Sequence, residues 1–344
     1  MKIILDAMGG DNAPEAAVLG ALDAARDFGA QITLVGRGEA ILEVMRKHNI
    51  ADLPQGVDIA NADDVVDMHD DPMDVVRKRK NSSMVVGLKM LADGMGDAFV
   101  SAGSTGALLT GATLIVKRVK GIRRAAMAPS MPTKTGGKVI ICDCGANAEC
   151  TPEFLQQFAI VASLYCRKTM GIANPRVGLL NIGTEDSKGT ALQLATYPML
   201  QRLHEQGIIN FTGNVEARQV PLGDVDVVVC DGFSGNVLIK SIEGTAMFMG
   251  SAMKKMFKKN ILSMLGALLC KSGVDELKKL LDPDEIGGTQ FVGIKKPVIK
   301  AHGSSGRRAF RNAVHQAMEV AKEDFVTELE MALAQTKEMA ANDA

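Results

Sequence analysis

Six loops of this sequence combine glycine with hydroxyl, amide and charged side chains, and each follows a short apolar run. The loops are residues 6–14, 101–107, 143–147, 181–189, 231–236 and 302–306. A loop of small residues at the start of a helix leaves backbone N–H groups free to meet an anion. One such loop is weak evidence, because many turns between a strand and a helix use glycine. Six loops that also carry Ser, Thr, Asn and a Lys predict a composite site for an anionic ligand.

The elements that must position these loops are short strands rich in Val and Ile, which alternate with longer helical patterns. The predicted strands are residues 3–5, 32–35, 57–60, 98–100, 139–142, 177–180, 225–229 and 294–298. The predicted helices are residues 15–28, 40–48, 73–95, 152–169, 188–205 and 236–270, followed by a terminal helix over the last ~20 residues. Apolar strands separated by helices predict an α/β fold with a largely parallel sheet covered on both faces. Ligands bind beyond the carboxyl ends of such strands, where the loops lie.

Composition excludes several classes of protein. The 344 residues carry a net charge of −1 and contain no Trp and two Tyr, which argues against a nucleic-acid partner. A hydrophobic content of 47% excludes disorder. The absence of a repeat or a low-complexity linker predicts a single α/β domain over residues 1–344. No apolar run reaches the ~18 residues of a membrane span, and no leader precedes the first strand, so we expect a cytoplasmic protein.

The common nucleotide, hydrolase and zinc motifs are missing. No P-loop or G-x-S-x-G motif occurs. Residues 36–41 begin like a dinucleotide fingerprint, but Ile41 stands where helix–strand packing needs Gly or Ala. Cys142, Cys144 and Cys150 have a spacing that matches no common zinc site, so we expect ordinary thiols.

The segments "ILDAMGGDNAP", "SAGSTGALL", "DCGAN", "NIGTEDSKG", "DGFSGN" and "HGSS" closely resemble the bacterial phosphate acyltransferases of phospholipid synthesis, the acyl-ACP:phosphate transacylases. The match runs in the same order over residues 4–306. The resemblance implies that acyl carrier protein donates a long fatty acyl group to inorganic phosphate. The product, an acyl phosphate, would then serve a membrane acyltransferase that acylates glycerol 3-phosphate. It also implies a three-layer fold similar to isopropylmalate and isocitrate dehydrogenases and to phosphotransacetylase, in a homodimer that uses no metal or nucleotide cofactor.

For this reaction, loop position and the resemblance together indicate two main catalytic residues. Lys188 stands at the start of a predicted helix, where a lysine opposes the helix dipole, and is the expected charged donor to phosphate. The alternative is a solvated surface lysine. Asn236 begins the next predicted helix, and its amide is the expected donor to phosphate or to the oxyanion. The alternative is an N-cap of that helix.

Further residues of the loops complete the predicted site. His302 is a candidate proton donor to the leaving thiolate, with structural hydrogen bonding as the alternative. The predicted substrate-binding residues are Gly103, Ser104, Thr105, Gly106, Asn147, Gly183, Thr184, Ser234 and Gly235. The hydroxyls of Ser104 and Thr105 are alternatively helix caps.

Aspartates and cysteines have other expected roles. Asp6, Asp11, Asp143 and Asp231 each follow a strand, and we expect most of them to fix loops, because free carboxylates would repel phosphate. Acyl transfer through Cys142 or Cys144 is a rival mechanism to direct attack by phosphate.

Residues 247–285 are predicted to form a helical arm within the domain. Residues 251–271 carry an apolar stripe at helical spacing, made of Met253, Met256, Phe257, Ile261, Met264, Leu265 and Leu268. Lys254, Lys255, Lys258 and Lys259 cluster near its first turns. Such a helix suits packing on the core or a second subunit, peripheral contact with an anionic membrane, or docking of the acidic acyl carrier protein. An apolar groove for the acyl chain is expected near this arm.

Two other functions are consistent with parts of the sequence. A dehydrogenase of the related fold would need an adenine site, for which residues 36–41 are a poor start. A membrane-binding scaffold would use the arm and leave the six loops unexplained.

Overall fold

The computed structural model describes residues 1–67, 70–285 and 287–342, and these residues form twelve strands. The strands are β1 (Lys2–Asp6), β2 (Gln31–Gly36), β3 (Val57–Asn61), β4 (Ala98–Ser101), β5 (Ala126–Ala128), β6 (Ser130–Pro132), β7 (Lys138–Cys142), β8 (Arg176–Asn181), β9 (Asn210–Glu216), β10 (Val227–Val229), β11 (Thr289–Val292) and β12 (Val298–Lys300).

The same residues form twelve α-helices. They are α1 (Glu15–Phe28), α2 (Gly38–Lys47), α3 (Pro72–Lys78), α4 (Ser83–Ala92), α5 (Thr105–Gly111), α6 (Pro152–Met170), α7 (Ala191–Glu205), α8 (Gly232–Phe257), α9 (Ile261–Leu269), α10 (Lys271–Leu281), α11 (Arg307–Ala321) and α12 (Phe325–Asn342). A π-helical turn, Ala112–Val116, continues directly from α5.

The strands divide into two sheets. A seven-stranded sheet has the order β3-β2-β1-β4-β12-β11-β5, and a five-stranded sheet has the order β6-β7-β10-β8-β9. Neighbouring strands are parallel from β3 to β12 and from β7 to β9, whereas β11 and β6 run antiparallel to their neighbours. The predicted α/β class with largely parallel strands is confirmed, and the division into two sheets is a feature that strand spacing does not reveal.

Helices cover both faces of the first sheet, which explains its continuous apolar strands. In β1, Ile3 and Leu5 pack in one core with α1 and α11, while Ile4 packs in a second core on the opposite face with α4. Successive strand residues point to opposite faces, so a strand buried on both sides needs apolar residues throughout. Packing on both faces therefore fixes the carboxyl ends of the strands, and with them the points at which the following loops begin.

Several predicted helices begin or end elsewhere, because capping residues decide the boundaries. The predicted helix 73–95 is two helices, with Ser82 capping α4 by accepting from the Val85 N–H. The predicted helix 188–205 begins only at Ala191, where Thr190 forms a capping box with Gln193. The predicted strand 294–298 lies further on, at Val298–Lys300.

The predicted long helix over residues 236–270 also differs. It begins at Gly232, because the Asp231 side chain caps it, and it ends at Phe257. A second cap at Asn260, which accepts from the Ser263 N–H, starts α9. Beyond Leu238, α8 has no fully buried side chain, and α9 has none at all. These helices form the region of the predicted arm, whose bounds stay a prediction. Among the described helices, none is both long and apolar enough to cross a bilayer.

Candidate active site

The loops after β1, β4 and β12 meet at the carboxyl edge of the first sheet. The Asp11 N–H donates to the Gly303 carbonyl at 2.8 Å, and Asn12 Nδ2 donates to the Ser304 carbonyl at 3.0 Å. Gly10 has φ +104°, and a Cβ there would lie 2.9 Å from the Ala102 Cβ. A side chain at this position would separate the loops, so glycine is required for the close approach.

These three loops, residues 6–14, 101–107 and 302–306, form the first cluster, and Asp6 holds two of them together. Its carboxylate accepts hydrogen bonds from Ser101 Oγ at 2.7 Å and from the Met8 N–H at 3.1 Å. Burial raises the pKa of Asp6, and these hydrogen bonds oppose the rise. These hydrogen bonds hold the loops after β1 and β4 in place, so Asp6 has the predicted loop-fixing role.

The loop after β4 carries the predicted anion-binding residues Ser104, Thr105 and Gly106. Ser104 occupies the N-cap position of α5, but its side chain makes no capping hydrogen bond. The first helical bond runs from the Leu108 N–H to the Ser104 carbonyl, at 2.9 Å. Since Thr105, Gly106 and Ala107 precede this bond, their N–H groups have no helical acceptor. This loop therefore has the predicted geometry for an anion.

Asp143 is the centre of a second cluster, at the carboxyl end of β7. One carboxylate oxygen accepts the N–H groups of Met127 and Cys144, at 2.8 and 2.7 Å. The other accepts the N–H of Asn147 at 2.6 Å and its Nδ2 at 3.0 Å. Burial raises the pKa of Asp143, while these hydrogen bonds act in the opposite direction. Asn147 Nδ2 also donates to the Ala125 carbonyl at 2.9 Å, so both of its amide hydrogens serve this loop.

The start of α8 packs directly on this second cluster. The Asp231 side chain accepts from the N–H and the Oγ of Ser234, both at 2.8 Å. A Cβ at Gly235 would overlap the carbonyl oxygen of Asp143, and a Cβ at Gly232 would lie 2.6 Å from the Asn147 carbonyl oxygen. Two glycines thus allow the helix to touch the loop. Loop fixing is confirmed for Asp6, Asp143 and Asp231.

Asn236 lies one turn inside α8 rather than at its start, because Asp231 is the cap. The prediction that Asn236 begins the helix, with an N-cap as its alternative role, is wrong. Its amide lies over the second cluster, since a Cβ at Gly145 would be 3.8 Å from Asn236 Nδ2. The side chain is exposed, and the described residues give it no hydrogen-bond partner. An amide so placed is available to a ligand.

Lys188 lies in the loop after β8, in front of the α7 cap rather than in the helix. The prediction that it starts the helix is wrong, so the helix dipole gives no reason to expect a special role for Lys188. Asn181 Nδ2 holds the Lys188 carbonyl at 3.0 Å, and Asn214 Nδ2 holds the Glu185 carbonyl at 2.7 Å. Gly183 is close to the lysine stem, since its Cβ would lie 3.2 Å from Lys188 Cγ. The ammonium is exposed and forms no ion pair with any residue that the structure describes.

Thr184 belongs to the same loop and is exposed to solvent.

His302 lies at the exposed rim of the first cluster. Its Nδ1 accepts from the Ser304 N–H at 3.3 Å and contacts Ser304 Oγ at 2.8 Å. Because Nδ1 accepts, the neutral ring carries its proton on Nε2. That Nε2–H has no described acceptor and remains available as a donor.

Lys300 is a buried lysine that the loop-based prediction missed. It ends β12 and is only 8% exposed. Burial lowers its pKa to about 8, and the negative charges of Asp11 and Asp6 oppose that fall. One sequence signal could have identified it: the lysine ends the apolar run "PVIK" and lies two residues before a Gly/Ser loop.

The buried cysteines have protonated thiols. Burial raises the pKa of Cys144 to about 12, and burial followed by the charge of Asp143 raises that of Cys142 far above its usual value. The thiolate is the nucleophilic form of cysteine, so neither residue is activated.

An apolar groove of 1310 Å³ lies along α8 and is closed on its other side by α9 and α10. Its α8 wall is a stripe at helical spacing, formed by Leu238, Ile242, Ala246, Met249, Met253 and Phe257. Met264, Ala267 and Val274 face it from α9 and α10. The predicted single stripe is divided: Phe257 faces the groove, whereas Ile261, Leu265 and Leu268 are exposed outside it.

The six loops therefore form three groups. Loops 6–14, 101–107 and 302–306 make up the first cluster, loops 143–147 and 231–236 make up the second, and loop 181–189 is the third group. Hydrogen bonds from the Met127 N–H and to the Ala125 carbonyl tie the second cluster to the edge of the first sheet. The hydrogen bonds of the described residues do not join Lys188, Asn236 and Ser104 directly to one another. Within the described ranges, no group of three or more His, Cys, Asp or Glu side chains is placed to hold a metal ion.

Comparison with known proteins gives matches over nearly the whole chain. The family model described as "Fatty acid synthesis protein" matches residues 1–328. A phosphate acyltransferase of Brevibacillus brevis is 44% identical over 325 residues, which cover 94% of this chain and 95% of the relative. A phosphate acyltransferase of Alkaliphilus oremlandii is 45% identical, covering 92% of this chain and 93% of the relative.

Solved structures are similar in fold at low identity. A phosphotransacetylase from Streptococcus pyogenes gives a TM-score of 0.63 at 19% identity, covering 94% of each chain. A branched-chain phosphotransacylase from Enterococcus faecalis gives 0.61 at 14% identity, covering 93% of this chain and 99% of the other. A 4-hydroxythreonine-4-phosphate dehydrogenase from Klebsiella pneumoniae gives 0.54 at 12% identity, covering 94% and 98%.

Proposed function

Because the chain belongs to the fatty acid synthesis protein family, whose matched relatives are phosphate acyltransferases, we propose that it transfers a long-chain acyl group from acyl carrier protein to inorganic phosphate. The chain is an acyltransferase of fatty acid and phospholipid synthesis. The proposed product is an acyl phosphate, which a membrane acyltransferase consumes to acylate glycerol 3-phosphate.

The observation that carries this proposal is the course of α8. Its first turns bring Ser234, Gly235 and Asn236 to the second cluster, and its later turns line the apolar groove. At 1.5 Å per residue, the stripe from Leu238 to Phe257 runs for about 28 Å. Each CH₂ of an acyl chain buried there contributes about 0.8 kcal/mol. One helix thus connects polar groups suited to a thioester carbonyl with a groove suited to its chain.

The proposed reaction is direct attack by phosphate. A phosphate oxygen forms a bond to the thioester carbonyl carbon, the carbonyl oxygen becomes an oxyanion, and collapse breaks the C–S bond. The carrier leaves as a thiolate, which accepts a hydrogen bond from the Nε2–H of His302 and takes its proton from water. Lys188 and the loop residues Gly103, Ser104, Thr105, Gly106, Gly183 and Thr184 bind phosphate in this proposal, and the Asn236 amide stabilises the oxyanion. Asn147 acts at the same site by holding the loop on which Asn236 rests.

A covalent cysteine intermediate is the less favoured path. It requires a thiolate at Cys142 or Cys144, and burial holds both thiols in the protonated form at neutral pH. Phosphate at this pH is already an anionic nucleophile and needs no activated side chain.

The arm provides the proposed contacts with partners. Lys254, Lys255, Lys258 and Lys259 are exposed, and Lys254 and Lys258 also line the groove. The exposed apolar residues of α9 follow directly in the chain. This combination suits peripheral binding to an anionic membrane surface, and the lysines suit the acidic acyl carrier protein. A homodimer, in which this surface or another meets a second copy, is part of the same proposal.

The test is acyl transfer from palmitoyl-ACP to phosphate in the presence of EDTA, with hydroxylamine trapping the acyl phosphate. We expect carrier release to require phosphate and Lys188→Ala to lower turnover by about a hundredfold, which is about 2.7 kcal/mol. Lys134→Ala is the control, because Lys134 is another exposed lysine, outside all six loops.

The outcomes separate the reaction from the residue. Phosphate-dependent turnover with an unaffected Lys188→Ala variant keeps the reaction and removes Lys188 from it. Absence of transfer by the folded wild-type protein, with intact carrier, would overturn the proposed function itself.

A further inference from the structure

Asp6, Ser101 and Lys300 form a buried polar row at the carboxyl ends of three adjacent strands. Ser101 pairs with Lys300 across β4 and β12, and the pairing of Leu5 with Val100 places Asp6 beside Ser101 across β1 and β4. Their exposed fractions are 1%, 0% and 8%. Ser101 Oγ donates a hydrogen bond to Asp6 Oδ2 at 2.7 Å. A row of this kind inside an apolar sheet is costly unless its charges are paired and its donors are satisfied.

The Lys300 ammonium connects two of the loops of the first cluster. It donates to the Ala102 carbonyl at 3.3 Å and to the Ala301 carbonyl. Ala102 immediately precedes Gly103 and Ser104, and Ala301 immediately precedes His302. The ends of β4 and β12 are thus held by one side chain. An ammonium has three N–H donors, and the described residues accept from two of them.

The charge of Lys300 also matters for any anion at this edge. The negative charges of Asp11 and Asp6 act on the ammonium and raise its pKa against the effect of burial. Without a cation among them, these carboxylates would repel a phosphate that approaches the Ser104 loop. Lys188 follows a strand of the other sheet, and the described residues show no hydrogen bond between its side chain and this cluster. Lys300 is therefore the cation built into the cluster itself.

We propose that Lys300 is a positioning residue for phosphate, which holds the loops after β4 and β12 together and offsets the charges of Asp6 and Asp11. This inference rests on the proposed function, because it assumes that phosphate binds at the loop of Ser104. It assigns a role to a buried lysine that lies beneath the loops rather than in them. Lys300 therefore affects the binding of phosphate and not the binding of the acyl donor.

The test compares steady-state constants of Lys300→Met, Lys300→Gln and Lys300→Arg with those of the wild type. We expect Lys300→Met to raise the KM for phosphate by about tenfold or more, equal to about 1.4 kcal/mol, with the KM for acyl-ACP changed by less than about twofold. Lys300→Arg keeps the charge and should recover part of the loss. Lys296→Met is the matched control, since Lys296 Nζ also donates to a backbone carbonyl, that of Leu91, near the opposite end of β12.

Phosphate binding is measured independently as the rise in melting temperature with added inorganic phosphate. We expect this rise to shrink in Lys300→Met and to persist in Lys296→Met. If Lys300→Met does not fold, Lys300→Gln decides, because it keeps an N–H donor and removes the charge. An unchanged KM for phosphate in a folded, neutral variant overturns the inference. Absence of phosphate-dependent turnover in the wild type overturns the proposed function instead.

Discussion

At the scale of residues, the candidate site depends on polar side chains that are committed to backbone groups. Asp143 accepts N–H groups from Met127, Cys144 and Asn147, and Asp231 caps α8. These carboxylates hold backbone N–H groups of the loops and of the start of α8. The side chains of Lys188 and Asn236 form no hydrogen bond or ion pair with the residues that the structure describes, which leaves them available to a ligand. Glycines fill the positions where the backbone segments touch.

Gly235→Ala tests this close packing at the level of one methyl group. The added Cβ would overlap the Asp143 carbonyl oxygen, and Cys230 Sγ would lie 2.8 Å away. We expect the free energy of unfolding in urea to fall by about 1–3 kcal/mol, because the backbone of the loop must shift.

The control for this variant is Gly244→Ala in the same helix. A Cβ at Gly244 meets nothing within 4 Å, so the substitution should stabilise α8 by about 0.5–1 kcal/mol. Equal effects of the two substitutions would contradict the close contact between α8 and the Asp143 loop.

At the scale of elements, α8 and α9 separate two surfaces that the sequence pattern presents as one stripe. The break at residues 258–260 turns the chain, because Asn260 caps a new helix. Phe257 then faces the groove, while Leu265 is 54% exposed on the outside. The two residues therefore have different expected roles, in acyl-chain binding and in membrane contact.

Leu265→Asp and Phe257→Asp should separate these roles. We expect Leu265→Asp to weaken binding to anionic vesicles by about tenfold or more, since burying a leucine is worth about 1.5–3 kcal/mol. Turnover of acyl-ACP without vesicles should be unchanged in this variant. Phe257→Asp should instead lower turnover of a long-chain donor, because it places a charge in the groove.

Sedimentation with vesicles and the hydroxylamine assay measure these two effects. Leu42→Asp is the control, because Leu42 is similarly exposed, at 44%, on the distant helix α2. Vesicle binding that is unaffected by Leu265→Asp would exclude this face of α9 as the membrane contact.

At the scale of the whole molecule, the two sheets share part of their structure. The segment from β5 to β6 passes from the edge of one sheet to the edge of the other within seven residues, 126–132. One hydrophobic core contains Ala126 and Val292 of the first sheet together with Ile140 and Val177 of the second. A shared core predicts that the sheets unfold together.

Single-tryptophan variants test this prediction, because the sequence contains no Trp. Phe28→Trp reports on the core beside α1, and Phe154→Trp reports on the core beside α6, where both phenylalanines are only partly buried. We expect the same urea midpoint from both fluorescence signals and from circular dichroism. Distinct midpoints for the two tryptophans would show that the sheets unfold as separate units.

The sequence by itself determined the α/β class, most of the parallel strands, the helix α1 and the loops that contain the candidate residues. These features follow from local signals: apolar runs buried on both faces, helical periodicity and small polar residues after each strand. The family also follows from the loops, because their residue types and order are specific. Missed strands such as β9 (Asn210–Glu216) have too few apolar residues to show this pattern.

Only the tertiary structure decided the division into two sheets, the grouping of the loops and the burial of Lys300. Strand order depends on contacts between residues that are far apart in the chain, such as Ser101 with Lys300. Helix starts at Ala191 and Gly232 depend on which nearby side chain accepts the first free N–H groups. A lysine at a strand end has the same appearance in sequence whether it is solvated or buried. Contacts with residues far away in the chain, such as the Ala102 carbonyl, make the difference.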